Sequence, residues 1–194
     1  VNPEEGKLIV FSAPSGSGKT TIVHHLLSRP ELPLSFSVSC TTRERREHEV
    51  DGEDYHFIPY EEFMRLKEEG AFLEWEEVYR GNFYGTLHRS IHEIWELGRH
   101  VIFDIDVVGG LNIKRKYPDR TLAVFVQPPD IETLRKRLTQ RDTESPEKIE
   151  MRIAKAELEL SEAPKFDHII VNESLEEAQE EACRVISEFL GLYP

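Results

Sequence analysis

Gly16, Gly18, Lys19 and Thr20 fall within the short run Ala13–Thr21. Small residues at that spacing let successive backbone N–H groups wrap a phosphate. A lysine placed directly after them reaches the outer phosphates of a nucleoside triphosphate, and the hydroxyl that follows can bind magnesium. The strict phosphate-loop pattern opens with glycine, and Ala13 stands there instead. A glycine–serine turn that happens to precede a lysine would look similar. The setting argues against it, because the apolar run Lys7–Ser12 comes just before and a helix-forming stretch just after.

Three further groups carry potential chemistry. The strand-like run His100–Ile105 ends among acids, Asp104 and Asp106, and a carboxylate at such a strand end holds magnesium in phosphate-loop enzymes. Being two positions apart, the two aspartates are expected to face one cleft if the strand stays regular. Arg43, Arg45 and Arg46 crowd four positions, and guanidinium forks match phosphate oxygens. Glu44 and Glu47 interleave with them, so a solvated charge run is the alternative. Arg137 and Arg141 lie one helical turn apart, with Arg152 on the next expected helix. Glu74 beside Trp75 reads, by itself, as a surface acid. His88 and His92 lack the His-Glu-x-x-His spacing of a zinc helix, and Cys183 among Ala182 and Val185 reads as core.

These groups need a scaffold, and the sequence describes one. Besides Lys7–Ser12 and His100–Ile105, the runs Thr121–Val126 and His168–Asn172 are almost continuously apolar, as suits strands covered on both faces of a parallel sheet. Helices have legible ends: Ser145-Pro146 as N-cap and first residue, Ser174 with Glu177 as a capping box, and Gly191 as a stop. The reading is an α/β fold. Residues from about 37 to 88 break the alternation, with the runs Tyr55–Ile58 and Phe72–Val78 and a helix over Glu61–Glu69 ended by Gly70. They read as a small sheet-rich insert. The charged stretch from about 130 to 162 reads as a helical excursion with a hinge over Arg141–Ser145.

The chain of 194 residues carries a formal charge of −13. Such a surface repels nucleic-acid phosphates, so extended nucleic-acid binding is not expected, while a few placed arginines still suffice for a nucleotide. No apolar stretch approaches the roughly 18 residues needed to span a bilayer. The acidic N-terminus, Val1–Glu5, lacks a secretion signature, and the two cysteines have no metal or redox spacing. A cytoplasmic setting is expected.

Taken together, the chain resembles the guanylate kinase family. The resemblance rests on Ala13–Thr20, Ser39 with Thr41, Thr42, Arg43 and Arg46, Gly52 with Tyr55 and Phe57, Phe72–Trp75, Tyr84–Thr86, Asp104–Asp106 and Ile170–Asn172, in family order along nearly the whole chain. It implies a P-loop NTPase fold with a parallel core sheet (about 1–36, 89–129 and 163–194), an inserted GMP-binding subdomain (about 37–88) and a helical lid (about 130–162). It further implies transfer of the γ-phosphoryl group of ATP to GMP or dGMP with magnesium. Residue by residue, it implies ATP binding by Ala13, Pro14, Ser15, Gly16, Ser17, Gly18, Lys19, Thr20 and Thr21, with Arg137, Arg141 and Asn172. Arg43, Arg46, Tyr55 and Tyr84 would hold the GMP phosphate, and Ser39, Glu74, Thr86 and Asp106 would surround guanine. Thr20 and Asp104 would serve magnesium, and Lys19, Arg137 and Arg152 the transfer itself. The stretch between Trp75 and Tyr84 is one residue longer than the family pattern, and Thr86 stands where serine is common. A kinase for a different small acceptor is the first rival reading. A non-catalytic module that binds phosphorylated peptides is the second, although such modules lack the phosphate loop.

Overall fold

A computed structural model describes residues 6–140 and 146–192. In chain order the elements are β1 (Leu8–Ser12), α1 (Lys19–Leu27), β2 (Leu34–Phe36), β3 (Cys40–Thr41), β4 (His56–Phe57), α2 (Tyr60–Glu68), β5 (Phe72–Tyr79) and β6 (Asn82–Leu87). They continue as α3 (His88–Glu96), β7 (His100–Asp104), α4 (Val107–Lys116), β8 (Thr121–Gln127), α5 (Ile131–Thr139), α6 (Pro146–Ser161), β9 (His168–Val171) and α7 (Leu175–Leu190). The hinge expected over Arg141–Ser145, with Arg141 and the N-cap Ser145, lies outside the described residues; Pro146 opens α6 as expected.

Five strands form a parallel sheet in the order β2-β7-β1-β8-β9. All five residues of β1 are buried, and alternate side chains serve opposite faces. Ile9 and Phe11 join Ile22, Val23 and Leu26 of α1 and Ala178, Ala182 and Ile186 of α7. Leu8 and Val10 join Ile91 and Trp95 of α3 with Phe103 and Ile113. Helices on both faces explain why the sequence of this strand is continuously apolar. Since β7 and β8 flank β1 on either side, the chain changes direction at β1, and a crevice opens beyond the carboxyl ends of β1 and β7.

A second, four-stranded sheet in the order β4-β3-β6-β5 is built from residues 40–87. Its own small core stacks Phe63 on Phe72 at 4.4 Å between ring centres, with Cys40 and Leu87. Gly70, at φ 68°, follows the last turn of α2 as expected. The register of the β5–β6 hairpin shifts between Glu77 and Tyr79, where Val78 is the extra residue on the longer side. A bulge of this kind is how a strand absorbs one additional residue.

Four elements were not legible beforehand: β2, β3, β6 and α4. The last hides behind Gly109 and Gly110, poor helix formers that packing requires. A Cβ on Gly110 would lie 2.6 Å from Ser12 Oγ and 2.8 Å from Val10 Cγ1, so α4 rests directly on the central strand. The alternation of β7 does not run on through Asp106 as the sequence suggested. The strand ends at Asp104, and Asp106 is the N-cap of α4, its carboxylate accepting from Val108 N at 2.9 Å and Gly109 N at 3.4 Å.

Gly110→Ala tests this packing. Helix propensity alone would favour alanine by about 1 kcal/mol, but overpacking against β1 costs about 1–3 kcal/mol. A net loss of stability is expected in urea unfolding; a gain would show that α4 is free to move off the sheet.

Candidate active site

The loop Ala13–Thr21 leaves the carboxyl end of β1 and enters α1. It turns at Gly16 (φ 92°) and Gly18 (φ 89°), a left-handed conformation that side chains seldom adopt. Gly18 is the N-cap of α1, so the unpaired N–H groups of the first helical turn face outward, as an anion requires. Asn172 supports the loop from below, its Nδ2 donating to Ser17 O at 2.7 Å. A Cβ on Gly18 would come within 2.3 Å of that same nitrogen, so glycine is required there by backbone and by neighbour alike.

At the adjacent strand end, Asp104 Oδ2 accepts from Thr20 Oγ1 at 2.6 Å. Asp104 Oδ1 pairs with the Lys19 ammonium, which also donates to Ile105 O at 3.1 Å. Parallel pairing of β1 with β7, with Phe11 opposite Asp104, brings these three side chains together. The Thr20 hydroxyl and Asp104 carboxylate form an all-oxygen set beside a phosphate loop. Among the described residues no cluster of three or more His, Cys, Asp or Glu side chains could cage a metal. This set suits magnesium, which keeps several waters and takes phosphate oxygens as its remaining ligands.

Across the crevice, Glu74 on β5 is 7% exposed. Its Oε1 accepts from Thr86 Oγ1 at 2.7 Å, and Thr86 lies 3.5 Å from Ser39 Oγ. Burial, reinforced by the nearby Asp106 carboxylate, pushes Glu74 up to about 7 against the lowering effect of Thr86. The approach of Glu74 to α4 depends on Gly109, where a Cβ would stand 2.8 Å from Glu74 Oε2 and 3.0 Å from Asp106 Oδ1.

Arg43 is turned to a buried acid, with Nη1 and Nη2 donating to Glu49 Oε2 and Oε1 at 2.7 Å each, while its Nε donates to Tyr84 Oη at 3.1 Å. The guanidinium holds Glu49 down to about 2. Tyr55 stacks edge-on against Tyr84 at 5.7 Å, and burial raises its phenol to about 12, the Asp104 charge adding to the effect. Arg45 is exposed, and its Nη1 reaches Glu49 O at 3.1 Å.

Helices α5 and α6 close the top. Leu134 and Leu138 pack over Gly16, Arg137 Nη2 donates to Asn172 O at 3.0 Å, and Arg152 Nη1 donates to Ser15 Oγ at 2.9 Å. From the same face of α6, the Lys155 ammonium lies 4.6 Å from the Tyr79 ring centre and 3.7 Å from Glu159.

The whole loop Ala13–Thr21, together with Ser39, Arg46, Tyr55, Glu74, Tyr84, Asp104, Asp106 and Arg152, lines one cleft of about 340 Å³. Four residues expected at the site are not in its wall. Arg43 is held by Glu49, Thr86 is fully buried behind Glu74, Arg137 is turned to the Asn172 carbonyl, and Asn172 to Ser17 O. Arg141 lies outside the described residues. The cleft also includes Val78, Tyr79, Ile105, Lys155 and Glu159, which the sequence had not singled out. The spacing of Arg152, Lys155 and Glu159 on one helical face was the available signal, whereas nothing near Glu49 marked it as buried.

A glycine-lined anion cradle beside an oxygen pair for a divalent cation, facing a buried acceptor set, is built for phosphoryl transfer between two bound molecules. The guanylate kinase family profile matches residues 5–189. A guanylate kinase of Bacteroides thetaiotaomicron is 55% identical, covering 96% of this chain and 91% of that protein. Its counterpart in Porphyromonas gingivalis is 47% identical, covering 95% and 98%. The crystal structure of guanylate kinase from Anaplasma phagocytophilum superposes with a TM-score of 0.77 at 31% identity, covering 94% of this chain and 85% of that one. With the profile, the relatives and the cleft in agreement, the chain belongs to the guanylate kinase family.

Proposed function

We propose that the protein transfers the γ-phosphoryl group of ATP to GMP or dGMP, giving ADP and GDP. One observation carries the reading: the phosphate loop and the buried Glu74 line the same cleft. Guanine presents N1–H and an exocyclic amine side by side, and an ionised carboxylate accepts from both. Adenine brings an unprotonated N1 to that carboxylate and leaves a buried acceptor unpaired, a mismatch worth a few kcal/mol, roughly a hundredfold in selectivity. Ser39, Thr86 and Asp106 complete the guanine side of this reading, and Arg43, Arg46, Tyr55 and Tyr84 the phosphate side.

On the donor side, the loop N–H groups and Lys19 grip the triphosphate, with Arg152 over it. Arg137 and Asn172 support the loop, and Arg141 belongs to the same group by sequence. Thr20 and Asp104 would hold magnesium, which when bound supplies charge neutralisation at the phosphate oxygens. Lys19 moves from Asp104 to the triphosphate, and Arg152 from Ser15, each following the more highly charged partner. An oxygen of the GMP phosphate then attacks the γ-phosphorus in line. That oxygen is already anionic at neutral pH, so no general base is needed. The pair α5–α6 acts as a lid that excludes water, the competing acceptor, residues 40–87 as the acceptor subdomain, and the parallel sheet as the core. A cytoplasmic setting, where ATP and nucleoside monophosphates are available, belongs to the same reading.

An ADP-release assay across GMP, dGMP, AMP, CMP and UMP tests the substrate. Activity peaking with a guanine nucleotide is expected, and any other optimum overturns the acceptor assignment. Lys19→Ala should abolish turnover while the circular dichroism spectrum stays unchanged; undiminished GDP formation would exclude the mechanism. Glu74→Gln should lower kcat/KM for GMP about a hundredfold and leave ATP binding nearly intact. A pH profile adds a sign. With Glu74 at about 7 in the free protein, its ionised, guanine-binding form is lost as pH falls. GMP affinity measured by calorimetry should therefore weaken from about pH 8 to about pH 6, a dependence that Glu74→Gln should flatten.

A further inference from the structure

We propose that Lys155 is a further catalytic residue of the transfer, its ammonium closing on the γ-phosphoryl group and the acceptor phosphate where the two anions meet. The inference rests on the reading above and adds a cation which that reading leaves unused. Among the described residues, the cleft wall carries four cations, Lys19, Arg46, Arg152 and Lys155. Lys19 and Arg152 serve the donor in that reading, and Arg46 the acceptor phosphate. Lys155 follows Arg152 by one turn of α6, so both lie on one helical face. Its ammonium reaches across to the insert, 4.6 Å from the Tyr79 ring centre.

Glu159, one further turn along, locates this cation more closely. It also lines the cleft, 3.7 Å from the Lys155 ammonium. It interacts electrostatically with both Lys19 of the donor loop and Asp106 at the acceptor pocket. Lys155 therefore stands between the two binding sides. Both of its contacts are loose. A ring face holds a cation without a lone pair, and the Glu159 oxygen is beyond hydrogen-bonding distance. The Lys155 side chain is 34% exposed, so water screens both contacts. Phosphate oxygens carry more charge and accept short, charge-assisted bonds, so they draw the ammonium away on its flexible stem. Glu159 has the complementary task of keeping the cation at the cleft before the anions arrive.

The chemistry has a use for a cation at this place. A GMP phosphate oxygen bonds to the γ-phosphorus as the bond from that phosphorus to the β–γ bridging oxygen breaks, and the bridging oxygen keeps the electron pair on ADP. No proton is exchanged, so Lys155 stays an ammonium throughout. Its part is to offset the repulsion between two anions brought to reacting distance. That repulsion arises only when both are bound, so its relief falls on the pair more than on either nucleotide alone.

The test uses the full chain with Lys155→Met, Lys155→Arg and Tyr79→Leu. It measures steady-state ADP release, thermal melting, and calorimetric binding of ATP, of GMP, and of a bisubstrate compound joining adenosine and guanosine 5′ to 5′ through five phosphates. Lys155→Met should weaken the bisubstrate compound about 10- to 100-fold more than it weakens either nucleotide, the range for a lost hydrogen bond to a charged group. Its kcat with both substrates saturating should fall by a similar factor. Lys155→Arg, which keeps the charge, should recover most of both losses. Equal losses for the bisubstrate compound and the single nucleotides, or a kcat within about twofold of wild type, would overturn the proposal. So would a kcat loss in Tyr79→Leu as large as in Lys155→Met, because Lys155 would then act only by fastening α6 to the insert. A lowered melting point with no recovery in Lys155→Arg would make the residue structural and overturn it too. A wild-type protein that turns over AMP but not GMP would instead overturn the reading beneath, and the wild-type assay alone reports that outcome.

Discussion

The cleft must receive two polyanions on a chain whose formal charge is −13, and the pairing of its cations governs much of its design. Lys19 is bound to Asp104, Arg43 to Glu49, and Lys155 lies beside Glu159. Each partner is an acid of the protein, so these positive charges are held in place before an anion arrives. Asp104 stands at the cleft wall, where a phosphate can compete for Lys19. Glu49 lies outside that wall, with both oxygens accepting from Arg43.

Helix α6 ties the two halves of the cleft together. Arg152 touches the phosphate loop at Ser15, and one turn further on Lys155 lies over Tyr79 at the end of the insert hairpin. One rigid element therefore senses both the donor loop and the acceptor sheet. Burial raises Glu159 on the same face, with Asp106 adding to the effect and Lys155 and Lys19 opposing it. On the proposed function, the helix that shields the reaction from water also touches both sides of the cleft, while Ile153 and Ala156 pack it on Leu134 and Leu138 of α5.

The strands that bear the site were legible because their physics is local. A strand covered on both faces must be apolar throughout, and β1, β7 and β8 declared themselves that way; β9 is equally apolar but lies at the sheet edge with Ile169 and Val171 exposed, contrary to the expectation that it is covered on both faces. Gly18 was legible because a phosphate loop must turn left-handed. What escaped was set by distant partners. Helix α4 was hidden because Gly109 and Gly110, chosen for close approach to Glu74 and β1, weaken the local helix signal. Glu49 went unmarked because its burial depends on Arg43 folding over it. The two-residue strand β3 has too few residues to show a period, and it exists because β6 and β4 pair with it on either side. For Arg43 the residue type was legible but its partner was not: spacing identifies a guanidinium without showing that Glu49 lies against it.

The acceptor preference traces finally to a backbone distance. Glu74 is useful to guanine only if it is buried, because a solvated carboxylate discriminates poorly, and burial raises its pKa toward the working range of the protein. Thr86 opposes that rise by donating to one oxygen, which leaves Oε2 facing α4. A side chain at position 109 would occupy the space beside that oxygen. Asp106, which caps the same helix, would be crowded by the same atom. On the proposed function, the missing Cβ leaves room for the carboxylate beside α4, where its charge favours a purine offering two donors over one offering an acceptor.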